Sequence, residues 1–134
     1  MRIEDIRRMA HDIIVKGSIE NDFIEYKKSA TFKNKILKTV CAFANNYMNR
    51  EIGLLFIGIE EVNDGNTGEK AVPKRPISGI DEPLIESTEN ALRQLLSNIH
   101  PKVNYQLIID QIDERYYIVI AVEPGSVGPY QTSD

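Results

Sequence analysis

A single cysteine, Cys41, leaves the 134-residue chain unable to form an internal disulfide and fits a reducing compartment. Cys41 stands among apolar neighbours in a helical pattern, where a thiol packs as a small hydrophobe rather than serving as a nucleophile. Two separated histidines, His11 and His100, do not supply the ligand set of a zinc site, and they read as a helix-surface residue and a helix-end residue. No stretch approaches the roughly 20 apolar residues of a membrane span, and Met1-Arg2-Ile3-Glu4-Asp5 holds no signal-like apolar core. The expectation is a cytoplasmic protein with no membrane partner. A phosphate-binding Gly-x4-Gly-Lys-Ser/Thr loop is also lacking, because Gly65-Asn66-Thr67-Gly68-Glu69-Lys70 has the wrong spacing.

Positive charge is scarce overall: sixteen basic residues face twenty acidic ones, a formal net charge of -4. The average conceals a local reversal. Between Asp22 and Arg50, six basic residues (Lys27, Lys28, Lys33, Lys35, Lys38 and Arg50) face only Asp22 and Glu25, a local charge of +4 that leaves -8 for the remainder. A polyanion responds to where cations are displayed, and an acidic remainder makes such contact salt-sensitive. The same cluster equally describes a solvated helix face. An apolar fraction of 42% and a charged fraction of 27% are those of an ordinary globular protein, and the length suits one domain, residues 1–134.

Ile3, Ile6, Met9, Ala10, Ile13 and Ile14 recur at helical spacing, so residues 1–17 read as an N-terminal helix ended by Gly17. Phe23 to Lys28 alternates as a strand, with Phe23, Glu25 and Lys27 on one side and Ile24 and Tyr26 on the other. Ser29 and Thr31 are candidate caps for a second helix whose apolar stripe runs Phe32, Ile36, Val40, Phe43 and Tyr47. The nearly unbroken apolar run Gly53–Ile59 predicts a strand covered on both faces, at the sheet centre. Residues 61–79 carry turn chemistry and read as an exposed loop. Asp81 and Pro83 open a third helix with Leu84, Ile85, Thr88, Leu92, Leu95, Leu96 and Ile99 on its buried face. Two alternating runs, Val103–Ile109 and Tyr116–Val122, predict an antiparallel hairpin. This order specifies an α/β (α+β) sandwich: a mixed sheet, about three helices and a C-terminal hairpin.

Four blocks carry a resemblance: Glu20-x4-Glu25-Tyr26-Lys27, Val40-Cys41-Ala42-Phe43-Ala44-Asn45, Gly53-Leu54-Leu55-Phe56-Ile57-Gly58-Ile59-Glu60, and Val122-Glu123-Pro124-Gly125 with Pro129-Tyr130. Together, from about residue 18 to 130, they resemble the Schlafen/Alba-like family of proposed DNA-binding domains, also called the divergent AAA domain. The resemblance implies an N-terminal module of a bacterial transcriptional regulator or helicase-like protein. In animal members a related core cleaves RNA with three carboxylates. By resemblance Glu20, Glu25 and Glu60 fall where those acids lie, and Lys27 where the family carries its lysine. The chain departs from the pattern in two places. Asn46 to Ile52 stand where a Gly-Gly pair is usual, and the family's later basic segment is missing, which implies a fragment of a longer protein with further C-terminal domains.

Three readings follow. In the first, the domain binds nucleic acid, DNA in preference to RNA, with Lys27, Lys28, Lys33, Lys35, Lys38, Lys74 and Arg75 on phosphates and no cofactor. No aromatic residues alternate with these cations, so the sequence gives no sign of a base-stacking platform. In the second, it is a ribonuclease in which Glu20, Glu25 and Glu60 hold Mg²⁺ or Mn²⁺ and Lys27 orients water. Glu20 joins such a site only if the chain turns back near Asn21-Asp22, since five extended residues span up to roughly 17 Å. The third is an oligomerisation or protein-interaction module, with a second copy of the chain as one candidate partner. The competing reading for Glu25 and Lys27 is a surface ion pair at a sheet edge, and for Asn45 a helix cap.

Overall fold

The computed structural model describes residues 2–18, 21–46, 51–63, 71–125 and 129–132. The N-terminal period becomes helix α1, Ile3–Lys16, which ends where Gly17 turns left-handed and Ser18 donates its N–H back to the Ile13 carbonyl at 3.0 Å. Strand β1, Ile24–Lys27, is followed by helix α2, Lys33–Asn45, and strand β2, Gly53–Ile57. β1 and β2 are parallel, so a crossover is obligatory between them, and α2 supplies it. β3, Glu61–Asn63, pairs antiparallel with β4, Ala71–Pro73. A 3-10 turn, Glu82–Leu84, leads into helix α3, Ile85–Leu96. After β5, Ile99–His100, the expected hairpin forms from β6, Tyr105–Ile112, and β7, Arg115–Val122. Its turn residues Asp113 and Glu114 take φ of 57° and 61°, the left-handed pair that matches the twist of a two-residue hairpin loop. β8, Gln131–Thr132, pairs with β5. β7 docks antiparallel on β2, giving a mixed sheet in the order β1-β2-β7-β6.

Alternation along these strands splits the core in two. On one face Tyr26, Leu54, Phe56, Tyr117 and Val119 pack under Ile6, Ala10 and Ile14 of α1. On the other, Leu55, Ile57, Ile118 and Ile120 pack under α2 and α3. Every residue of β2 is buried, as its unbroken apolar run predicts. Full burial of such side chains stabilises by about 1.5–3 kcal/mol each, which holds the three layers together.

Four local expectations are corrected. Residues 61–79 are not simply an exposed loop: β3 and β4 pair there, and Ile77 is fully buried, while residues 64–70 lie outside the described part. Ser29 and Thr31 do not cap α2, because their hydroxyls bond to each other at 2.6 Å and Phe32 occupies the cap position. Asp81 precedes its 3-10 turn without a side-chain cap bond, and Leu84 is 53% exposed, leaving Leu92 and Leu96 as the buried residues of α3. Phe32 is not on the buried stripe of α2; it precedes the helix and is 43% exposed. Tyr47, named in the same stripe, lies outside the described residues.

Candidate functional site

Glu25-Tyr26-Lys27 sends its side chains to alternate faces of β1. Tyr26 enters the core under α1, where its hydroxyl donates to the Ser18 carbonyl at 2.6 Å. Glu25 and Lys27 point to the α2 side, as expected from the two-residue period. The Lys27 Nζ lies 2.9 Å from Glu25 Oε1, and the Thr39 hydroxyl of α2 donates to Glu25 Oε2 at 2.9 Å. Both carboxylate oxygens therefore have donors, in a setting where the Lys27 side chain is only 14% exposed. Partial burial makes this pair more rigid than an exposed ion pair, because fewer side-chain conformers compete with it. It floors a cleft of about 500 Å³ whose lining includes Asn21, Asp22, Lys35 and Lys38. Sequence reasoning missed Thr39; the signal was a hydroxyl interrupting the apolar stripe between Ile36 and Val40.

Glu60 is placed by a different device. At the end of β2 the chain hooks back, with Gly58 and Ile59 donating their N–H groups to the Lys27 carbonyl at 2.9 and 3.2 Å. Gly58 has φ of 97°, and an added Cβ would also press on Ile80, so glycine is needed there. The hook sets Glu60 between Lys28, at 4.0 Å, and Lys74, at 3.3 Å. A second cleft of about 250 Å³ adjoins this arrangement, lined by Tyr26, Lys27, Lys28, Phe32, Lys35 and the two glutamates Glu60 and Glu61. Lys27 and Lys35 line both clefts.

Lys33, Lys35 and Lys38 are exposed on α2 and make no ion pair among the described residues. The first turn of α2 carries no acidic residue. The Lys35 ammonium sits 5.8 Å from the centre of the Phe32 ring, within cation–π range. Arg75 differs from these cations: its guanidinium makes two bonds to Asp113, at 2.7 and 3.1 Å. That pairing, led by the side-chain hydrogen bonds, holds the Asp113 carboxyl below its ordinary range and raises Arg75 above its own.

Of the three expected carboxylates, Glu25 and Glu60 line neighbouring clefts, each with a lysine ion pair. The chain does reverse at Asn21-Asp22, where Asn21 N–H donates to the Ile24 carbonyl at 3.1 Å, but Glu20 lies outside the described residues. Among the described residues no three His, Cys, Asp or Glu side chains converge on a point where a metal ion would fit. Both Glu25 oxygens are engaged, by Lys27 and by Thr39. Burial raises the Cys41 thiol above its ordinary value, the opposite of the shift that activates a cysteine nucleophile.

Asn45 is neither a simple helix cap nor at the lysine strip. Its amide donates to the Tyr130 carbonyl at 3.2 Å and accepts the Tyr130 N–H at 2.7 Å, while Gly125 N–H reaches the Ala44 carbonyl at 2.9 Å. The Ala-Phe-Ala-Asn block and the Pro-Tyr block are thus two halves of one clamp.

No curated protein matches the chain. The fold is shared with the N-terminal domain of a RecG-related protein from Nitrosomonas europaea, a candidate ATP-dependent DNA helicase whose domain was solved by NMR in solution. The two superpose with a TM-score of 0.70 at 20% identity, over 93% of this chain and 80% of that one. The family model described as Schlafen, AlbA_2 matches residues 20–134, and the chain belongs to that family.

Proposed function

We propose that this domain binds nucleic acid, DNA in preference to RNA, through the strip formed by β1 and the N-terminal half of α2, as the N-terminal module of a cytoplasmic transcriptional regulator. Membership of the Schlafen, AlbA_2 family supports the reading, as does a neighbour in fold from a RecG-related protein. The observation that carries it is the display of Lys33, Lys35 and Lys38 on one helix segment without carboxylate partners among the described residues. An unpaired surface ammonium gives up little on meeting a phosphate, whereas a lysine already in an ion pair must exchange one partner for another. Lys27, Lys28 and Lys74 are of the second kind and shape the flank of the strip.

Each phosphate neutralised on duplex DNA contributes about -0.9 to the slope of log affinity against log salt. Anisotropy titrations over a salt series test the strip. The double variant Lys35→Ala, Lys38→Ala is expected to bind more weakly at every sequence and to flatten that slope by about two units. No binding at low salt, or a slope indifferent to the double variant, overturns the proposal.

A further inference from the structure

We infer that Phe32 is a stacking surface for an unpaired nucleobase, so that the strip takes single-stranded nucleic acid in preference to duplex. The inference rests on the nucleic-acid reading above and narrows its ligand. Of the four phenylalanines, Phe43 and Phe56 are buried and Phe23 is half-buried; Phe32 alone is exposed, at 43%. Single exposed apolar residues are common on protein surfaces and carry no message by themselves. The surroundings of this ring are what distinguish it. It lines the 250 Å³ cleft together with Lys27, Lys28 and Lys35, and Lys35 holds its ammonium 5.8 Å from the ring centre.

The cleft is smaller than the roughly 300–1,000 Å³ of pockets that engulf a drug-sized molecule, so it suits one planar group rather than a whole small ligand. Glu60 and Glu61 also line the cleft: Lys28 and Lys74 flank Glu60 and reduce its field there, and Glu61 is exposed to solvent, which screens it. What remains is an aromatic face bordered by cations, the pairing that single-strand sites use: bases lie on rings while the backbone tracks the positive charge. In a duplex the base faces are covered by their neighbours and only the edges are offered. The Phe32 ring in the cleft therefore has a partner only when the base is unpaired. Lys38, one turn along the same helix from Lys35 and lining the neighbouring cleft with it, is the contact for a flanking phosphate.

The chain has no tryptophan, so Phe32→Trp introduces a single indole whose fluorescence reports stacking directly. With this variant, short oligothymidylate and oligouridylate are expected to quench the indole at the concentrations where anisotropy shows binding, while duplex of the same length leaves it bright. Phe32→Leu keeps an apolar side chain at an exposed position and so preserves the fold. It is expected to lose about 5- to 150-fold in single-strand affinity with duplex affinity unchanged, as removal of one base–ring stack predicts. Whichever of the two oligonucleotides quenches more strongly distinguishes DNA from RNA as the source of the base. If single strands bind without quenching, or Phe32→Leu is silent, the stacking inference fails while the lysine strip stands. If neither single strand nor duplex binds, both fall.

Discussion

Asn45 shows how much a single side chain ties together in this chain. A carboxamide has the same donor and acceptor pattern as a peptide group, and Asn45 uses both against Tyr130, 85 residues away in sequence. Asn45→Ala leaves the N–H and the carbonyl of Tyr130 without these partners, at a cost of about 1–3 kcal/mol for groups withheld from water. Thermal melting is expected to show a drop of several degrees, with the salt slope of nucleic-acid binding untouched. A loss of binding with unchanged melting temperature would instead make Asn45 a ligand contact. At this scale the sequence was only partly legible. The two-residue period of a strand placed Glu25 and Lys27 on one face, because that is a local property. The partners of Asn45 and Thr39 depend on which other segment arrives beside them, and no spacing within the sequence encodes that. Phe32 misled the reading because it continues the helical period of α2 one residue before the helix begins.

Elements with a pattern of their own were readable: α1, β1, β6 and β7 display a period and β2 an unbroken apolar run, whereas β3 and β4 have three residues apiece, too few to separate strand from turn. The Arg75–Asp113 pair is one of several ties between the chain after β4 and the main sheet: Asp113 sits in the β6–β7 turn, and its Oδ2 also accepts the Ile77 N–H at 3.3 Å. Because Asp113 has a lowered pKa in the folded state, its contribution to stability is present above the ordinary carboxyl value of 3.8 and is lost as the pH falls through the lower folded value. Arg75→Met is therefore expected to melt below the parent at neutral pH, with the two curves converging as the pH drops beneath 3.8. A gap that stays constant through that acid range would show that Asp113 titration does not couple to folding through Arg75. The same pairing means that Arg75 meets a phosphate only by exchanging Asp113 for it.

For the molecule as a whole, the positions of the charged residues revealed the charge asymmetry that the net composition conceals, and strand patterning revealed that the sheet is covered on both faces. α1 covers one of those faces, although it lies outside residues 20–134, the segment that the family model matches. Ile6, Ala10 and Ile14, all but fully buried, lie over Tyr26, Phe56 and Tyr117. The Arg7 guanidinium adds a bond to the Ile109 carbonyl at 2.7 Å. Stripped of α1, the matched segment would present aromatic and aliphatic side chains to water over one side of β1, β2 and β7, a contiguous apolar patch that a soluble monomer rarely exposes. A chain beginning at residue 20 is accordingly expected to show no cooperative thermal transition and to bind a hydrophobic dye, while Ile14→Ala in the full chain folds with a loss of about 2–5 kcal/mol. Cooperative melting of the shortened chain at the full-length temperature would show that the second layer over this face is dispensable, and the domain would then be a two-layer fold carrying an optional helix.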